Sequence, residues 1–399
     1  MTDRFIVVGA GVFGVTAALE LRARGHAVTL LDRGPIPAPL AASTDISKVV
    51  RMEYGPDPDY MALMEEARAG WLRWNERWTA DGTGPLYHES GVLMVTRDVM
   101  APGGFEHDSY RMLMARGHRP ERMDAAVIAR RYPAWSTGRF VDGFYHRKGG
   151  YAESGAVVAA LAREARAAGV TVSEGSRMTA LIEEAGRVRG VRTDRGQEIE
   201  ADAVVLATGA WAGSLHSPLS GAIRASGHPV FHLRPGDPAL FRAERFPTFT
   251  ADVARTGYYG FPVNAQGVVK IASHALGRPI DPDAPRDLAA GAETRLRHFL
   301  ADIFPALAAA PVVYTRLCLY ADTQDEDFWI APDPERVGLT VAGGGSGHGF
   351  KFAPVLGGLI ADAATGVDNP ALRRFRWRPE VTLAHGTEAA RCHLPEVDD

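Results

Sequence analysis

The chain has 399 residues, 46% hydrophobic and 23% charged, which at roughly 150 residues per domain suggests two or three packing units and a core large enough to need no metal or disulfide staple. Acidic residues (48) outnumber basic ones (44) for a net charge of −4, against the basic balance of a nucleic-acid binder. Cys318 and Cys392 make no disulfide framework and fit a reducing, cytoplasmic setting.

No basic n-region with a cleavage site opens the chain. No uncharged apolar run approaches the roughly 20 residues that span a bilayer. Neither a membrane nor a nucleic-acid partner is expected, and no metal site.

Residues 5–8 (FIVV) read as a strand buried on both faces. Gly9, Gly11 and Gly14 follow in G-x-G-x-x-G spacing, then a helix over 12–24 that ends at Gly25, then a second buried strand over 27–31. Asp32 closes that strand, 18 residues beyond Gly14. The three glycines differ in what they allow. Gly9 permits the tight turn, Gly11 lets backbone approach a pyrophosphate, and Gly14 lets helix pack on strand. The helix N-terminus offers N–H groups to phosphate. Asp32 accepts the hydroxyls of an adenosine ribose and disfavours a 2′-phosphate. Strand, glycines, helix, strand and acid in order make this a dinucleotide site. The fingerprint alone leaves NAD and FAD open.

Residues 35–60 read as a loop region, 61–78 as an amphipathic helix with Leu63, Ala67, Trp71 and Trp74 on one face, 86–95 as strands, and 103–132 as helical and polar. A second α/β block begins near Gly149. It holds a helix over 157–168, a strand over 170–173, a hairpin over 178–183 and 188–193, and a buried strand over 203–206 running into Thr208 and Gly209. Residues 215–315 lack βαβ periodicity and suggest antiparallel sheet with a helix over 294–304. A strand over 339–342, a glycine-rich turn and a helix over 354–364 follow. The two ends of the chain thus build one nucleotide-binding domain around a β-rich insertion.

Several blocks then carry a resemblance. STDISKVVRMEYG (43–55), ADAVVLATGAWAG (201–213), GYYGFP (257–262), VVKIASHALGRPIDPD (268–283), RLCLYADTQDEDFWI (316–330) and GSGHGFKFAP (345–354) follow the fingerprint in order. The chain resembles the flavin amine oxidases typified by monomeric sarcosine oxidase, with fructosyl amino acid, pipecolate and N-methyltryptophan oxidases as relatives. The resemblance implies FAD as cofactor. It also implies an α/β fold: a Rossmann-like FAD-binding domain of glutathione-reductase type with an inserted antiparallel β-sheet substrate domain. The expected division gives 1–85, 149–215 and 316–385 to FAD, and 86–148 and 216–315 to substrate. Besides the fingerprint, it implies cofactor contacts at Arg33, Ser43, Thr44, Lys48, Met178, Thr208, Gly209, Trp211, Gly345, Gly347, His348, Gly349 and Lys351.

Cys318 stands in the block that the family uses for a thioether to the flavin. That bond needs a thiolate, which Arg316 would favour if its side chain points that way. The other reading is a small buried hydrophobe. Cys392 reads as incidental.

Lys270 interrupts an apolar strand, GVVKIAS. It either faces solvent or, as the resemblance implies, lies over the flavin, where a fixed cation stabilises superoxide as it forms. Arg51 and Lys351 are the implied carboxylate contacts, Arg51 being able to grip bidentately. Lys351 could equally be a surface residue at a helix entry. Lys48 departs from the arginine common in the family. Tyr259, eleven residues before Lys270, and His274, four after, complete the implied pocket. Strand alternation puts 270, 272 and 274 on one face.

The implied reaction is oxidation of a secondary amine with O2 as acceptor, giving an imine and hydrogen peroxide. A fructosyl amino acid is the favoured substrate. Sarcosine or another N-methyl amino acid, pipecolate, or an amine within a biosynthetic pathway is the alternative. A dehydrogenase passing electrons to a quinone or electron-transfer flavoprotein, and a non-catalytic flavin module, are the readings from other classes.

Overall fold

The computed structural model describes residues 2–275 and 277–380; Cys392 lies outside them. A six-stranded sheet runs in the order Trp329–Pro332, Leu339–Gly343, Ala203–Leu206, Arg4–Val8, Ala27–Leu31, Thr171–Ser173. Neighbours are parallel except the Trp329–Pro332 edge. The first strand shows why a continuous apolar run is needed. Phe5 and Val7 enter a core with helices Val12–Ala23, Ser154–Ala167 and Ala353–Thr365, while Ile6 and Val8 enter another beneath the small sheet of Met178–Glu184, Arg187–Thr193 and Glu198–Glu200. Helix Pro58–Ala80 starts cleanly because the Asp57 carboxylate accepts the Asp59 and Tyr60 amides and Pro58 needs no donor there.

The second layer is a nine-stranded sheet. Its path is Arg278–Pro279, Ile223–Leu233, Val269–Ser273, Tyr258–Phe261, Thr248–Ala251, Val92–Thr96, Asp142–His146, Glu121–Asp124, and Val312–Thr323 pairs with Ile223–Leu233. One face packs an aromatic core under helix Ala292–Ile303 that includes Phe231, Phe249, Phe299 and Phe304. No described helix is long and apolar enough to cross a membrane.

Four expectations change. The sheet is not wholly antiparallel, since Thr248–Ala251 runs parallel to Val92–Thr96. The boundary at 316 cuts a strand, because Val312–Thr323 pairs along its length with Ile223–Leu233; we therefore propose moving that edge past Thr323. Residues 103–132 split into helix Phe105–Ala115, strand Glu121–Asp124 and helix Ala125–Arg131. Gly117, at φ +81°, ends the first helix, and Glu121–Asp124 gains ladder partners from Asp142–His146. The loop over 35–60 contains a strand, Lys48–Val50, held by Gly150–Ala152.

Candidate functional site

A cavity of about 540 Å³ runs from the glycine turn at Gly9 and Gly11, past Asp32 and Met178, to the 344–347 turn. Its backbone is shaped by missing side chains. Gly9 has φ +97°, and a Cβ there would meet the Ala207 carbonyl oxygen at 2.4 Å; a Cβ on Gly14 would meet the Gly9 carbonyl oxygen at 1.7 Å. Asp32 accepts the Ala10 and Gly34 amides at 2.8 and 2.9 Å. Burial raises its carboxyl above the usual range, opposed by those two amides. Ser43 Oγ accepts the Val12 amide at 2.9 Å and so caps the fingerprint helix.

Of the expected cofactor residues, Arg33, Ser43, Lys48, Met178, Thr208 and Gly209 border this cavity. So do Trp211, Gly345, Gly347 and Gly349. Gly14, Thr44, Cys318, His348 and Lys351 do not. His348 is turned away: its ring nitrogens lie 3.0 Å from Tyr54 Oη and 2.9 Å from the Glu326 carbonyl oxygen. Its side chain braces these two segments.

Two lining residues hold buried donors with no hydrogen-bond partner among the described residues. They are Thr208, through Oγ1, and Arg286, through Nε and Nη2. Arg286 also lies over the Trp211 ring, 5.4 Å from its centroid, and a second cation, Arg33, lies 4.9 Å from the same centroid. Buried donors left idle in a cavity call for an anionic or carbonyl-bearing occupant. The fingerprint, the acid and these donors fit FAD.

The nine-stranded sheet turns its other face to this cavity, and its register assembles the remaining residues. Lys270 sits opposite His232 on one side and Phe261 on the other. One step along, Ala272 sits between Val230 and Tyr259, and His228 then pairs with Cys318. Tyr320, two residues on from Cys318, stacks on His228 at 3.7 Å between ring centroids and lines the cavity. His274 lies 6.2 Å from the Tyr259 ring and 6.1 Å from the Tyr320 ring. Lys270, Tyr259 and His274 are thus brought to one face, but behind the cavity wall rather than on it.

Lys270 is wholly buried, which discards the solvent-facing reading. Its Nζ lies 2.7 Å from Asp45 Oδ2 and donates to the Ser47 carbonyl oxygen at 2.6 Å. Burial pulls the ammonium down to about 8, with Asp45 opposing and Lys48 adding to the fall. Burial alone would raise Asp45, but Lys270, His232, Lys48 and Arg316 together hold it well below the carboxylate range.

Cys318 is buried, and the cation beside it is not Arg316. That guanidinium is taken up by the carbonyl oxygens of Thr44 and Ala41. Lys48 stands in its place, with Nζ 3.7 Å from Cys318 Sγ.

Arg51 and Lys351 are both buried, so Lys351 is not a surface residue. They share one aromatic ring: Arg51 lies 5.4 Å and Lys351 Nζ 4.7 Å from the Tyr54 ring centroid. Behind them Glu53 Oε1 meets His146 Nδ1 at 2.8 Å, both residues buried. Burial would raise Glu53, but His146 and Arg51 hold it below its ordinary value.

Sequence reasoning missed Asp45, His232, Arg286, His228 and Tyr320. Two signals were available. Tyr320 follows Cys318 at the strand period of two. The chain also contains four lysines, Lys48, Lys148, Lys270 and Lys351, and three of them lie at this site. In a chain otherwise using arginine for positive charge, a lysine can mark a place where a compact ammonium on a flexible stem is wanted, as these three do and exposed Lys148 does not.

A family model described as FAD dependent oxidoreductase matches residues 4–363. L-saccharopine oxidase of Schizosaccharomyces pombe is 28% identical, over 95% of this chain and 94% of that protein. Monomeric sarcosine oxidase of a Bacillus species is 26% identical, over 90% of this chain and 91% of that protein. Among solved structures, the fructosyl amine: oxygen oxidoreductase Amadoriase I of Aspergillus fumigatus superposes with a TM-score of 0.80 at 26% identity, covering 95% of this chain and 90% of that one. With the glycine cradle and the sheet face behind it, these matches settle the family: the chain belongs to the FAD dependent oxidoreductases, among the FAD-dependent amine oxidases of the sarcosine and fructosyl amino acid oxidase type.

Proposed function

We propose that this chain oxidises the secondary amine of an N-substituted amino acid, with a fructosyl amino acid as the favoured substrate. The observation that carries the amino-acid part is the pair of buried cations, Arg51 and Lys351, over the Tyr54 ring. A guanidinium that can grip bidentately and a compact ammonium, both buried at one ring, suit a substrate carboxylate. Tyr259, His274 and Tyr320 would then flank the amine. The sugar part is supported by the likeness to Amadoriase I and by Ser226 and His228 beside Tyr320, where Ser226 Oγ lies 2.9 Å from His228 Nε2.

FAD, when bound, supplies the acceptor for the two electrons of the C–H bond beside nitrogen and delivers them to O2. The chain's own residues do the rest. Gly9, Gly11 and the capped helix would receive the pyrophosphate, and Asp32 the ribose hydroxyls. Arg51 and Lys351 would fix the carboxylate and so the position of the C–H bond. Cys318, with Lys48 beside it, would supply the tether. Lys270 would hold a positive charge where dioxygen becomes negative.

An oxygen-coupled peroxide screen over fructosyl-valine, fructosyl-lysine, sarcosine, pipecolate, N-methyltryptophan and saccharopine tests the substrate. Highest kcat/KM on a fructosyl amino acid is expected. A clear preference for sarcosine, pipecolate or saccharopine transfers the reading to that substrate, and no peroxide from any amine removes it. Lys270→Met tests the oxygen role: stopped-flow reoxidation of the reduced protein should slow by about 100-fold while anaerobic reduction by substrate stays within roughly threefold. Equal losses in both half-reactions would overturn that role.

A further inference from the structure

A buried ammonium must be matched or it loses its proton, and here the match comes from outside the strand that carries Lys270. Asp45 Oδ2 meets Lys270 Nζ at 2.7 Å, and Asp45 Oδ1 lies 3.2 Å from His232 Nε2. His232 is the residue opposite Lys270 in the sheet register. Lysine, carboxylate and imidazole therefore close a triangle across two adjacent strands and the segment just before Lys48–Val50. The side chain of Asp45 is 1% exposed and that of His232 9%, so bulk water screens neither. The carboxylate faces Lys48 and Arg316 as well as Lys270, and Lys270 faces Lys48 and Cys318 as well as Asp45. Asp45 is thus an anion set among three cations.

We propose that Asp45, steadied by His232, is a positioning residue that keeps the Lys270 ammonium charged and aimed, and so sets how fast dioxygen is reduced. The proposal rests on the reading of Lys270 given above. Without the carboxylate charge, Lys270 is buried beside Lys48 with no counterion, and its proton leaves. A neutral amine offers nothing to the negative charge arriving on dioxygen. Asp45 exchanges no electron or proton in the step. Two electrons, which FAD would supply when bound, together with two protons would turn dioxygen into hydrogen peroxide, with Lys270 protonated throughout. Because Lys270 is already pulled down to about 8 by burial, a modest loss of support crosses neutrality.

The test uses holoenzyme labelled with 13C at lysine Cε, whose four lysines give four assignable signals, Lys270 being identified by its loss in Lys270→Met. In the parent the Lys270 signal should titrate near 8. In Asp45→Asn its midpoint should fall by about two to three units. Reoxidation at neutral pH should slow roughly tenfold or more, its pH profile moving with the NMR midpoint, while anaerobic reduction is nearly unchanged. His232→Gln, which keeps the carboxylate, serves if Asp45→Asn does not fold; it should lower the midpoint by about one unit and slow reoxidation at neutral pH by about twofold. Parent-like midpoint and profile in Asp45→Asn, or in His232→Gln where only that variant folds, overturn the proposal. Lys270→Met separates the two failures: if it slows reoxidation and the Asp45 variant does not, the lysine reading stands and the proposal falls.

Discussion

The two walls of the site are made in opposite ways. The cofactor wall is backbone with side chains removed, where Gly9 and Gly14 let a strand, a turn and a helix approach one another more closely than any Cβ would allow. The sheet side is made of side chains, with Tyr320 on the cavity wall and Lys270, His232 and Cys318 set behind it, projecting from three strands in register. At Gly9 and Gly14 no substitution is tolerated, because an added Cβ collides with backbone. A wall of charges tolerates graded change, because each group is tuned by its neighbours and by pH.

The largest effect is therefore expected at Gly14→Ala. The new Cβ would sit 1.7 Å from the Gly9 carbonyl oxygen, inside any van der Waals contact, so helix Val12–Ala23 must move off the first strand. Overpacking of this kind costs about 1–3 kcal/mol or more, and here it also displaces the phosphate-binding turn. The expected result is protein without flavin absorbance. A yellow, active Gly14→Ala protein would show that the turn has slack and would weaken the contrast.

A smaller change is expected at Cys318→Ala. Acid precipitation of the parent should leave the yellow colour with the protein pellet, and of the variant should release it to the supernatant. Folding should be little affected, because alanine keeps a small apolar group at a buried position. Colour in the supernatant from both proteins would make Cys318 the small hydrophobe of the simpler reading.

The same contrast explains what could be read from the sequence. The glycine wall is contiguous: Gly9 to Asp32 spans one strand–helix–strand unit, so its order and spacing survive in the linear text. The second strand–glycine-loop–helix unit near Gly345 was legible for the same reason. The sheet wall is assembled by register between strands far apart in the chain. Nothing local says that His232 lies across from Lys270, or that Asp45, 225 residues before the lysine, reaches it. The resemblance supplied Lys270, Tyr259, His274 and Cys318 as separate residues. It did not supply their neighbours, and sequence proximity suggested Arg316 for the place that Lys48 holds beside the thiol. The strand pairing of Val312–Thr323 was hidden likewise, because the partner in a long antiparallel ladder leaves no mark on the strand itself.

The subtlest test compares a buried charge that has its counterion with one that lacks it. Lys270 has Asp45. Glu106, in helix Phe105–Ala115 and 6% exposed, has an Oε1 with no hydrogen-bond partner among the described residues. Burial pushes its carboxyl up to about 7, the charge of Asp252 adding and Arg51 and Arg255 opposing. A carboxyl raised in the folded state binds its proton more tightly there than in the unfolded chain. Its contribution to stability is whole below the unfolded value of 4.5 and is lost as pH rises through about 7. At pH well above that, the ionised group costs on the order of 3 kcal/mol. Glu106→Gln carries no charge at any pH, so its thermal midpoint should match the parent's in mild acid and exceed it by a few degrees in mild base. A difference independent of pH would mean that Glu106 is ionised and matched in the fold, as Lys270 is, with Arg51 as its counterion. The carboxylate grip assigned to Arg51 would then already be occupied by the protein itself, and Lys351 would be left to hold the substrate alone.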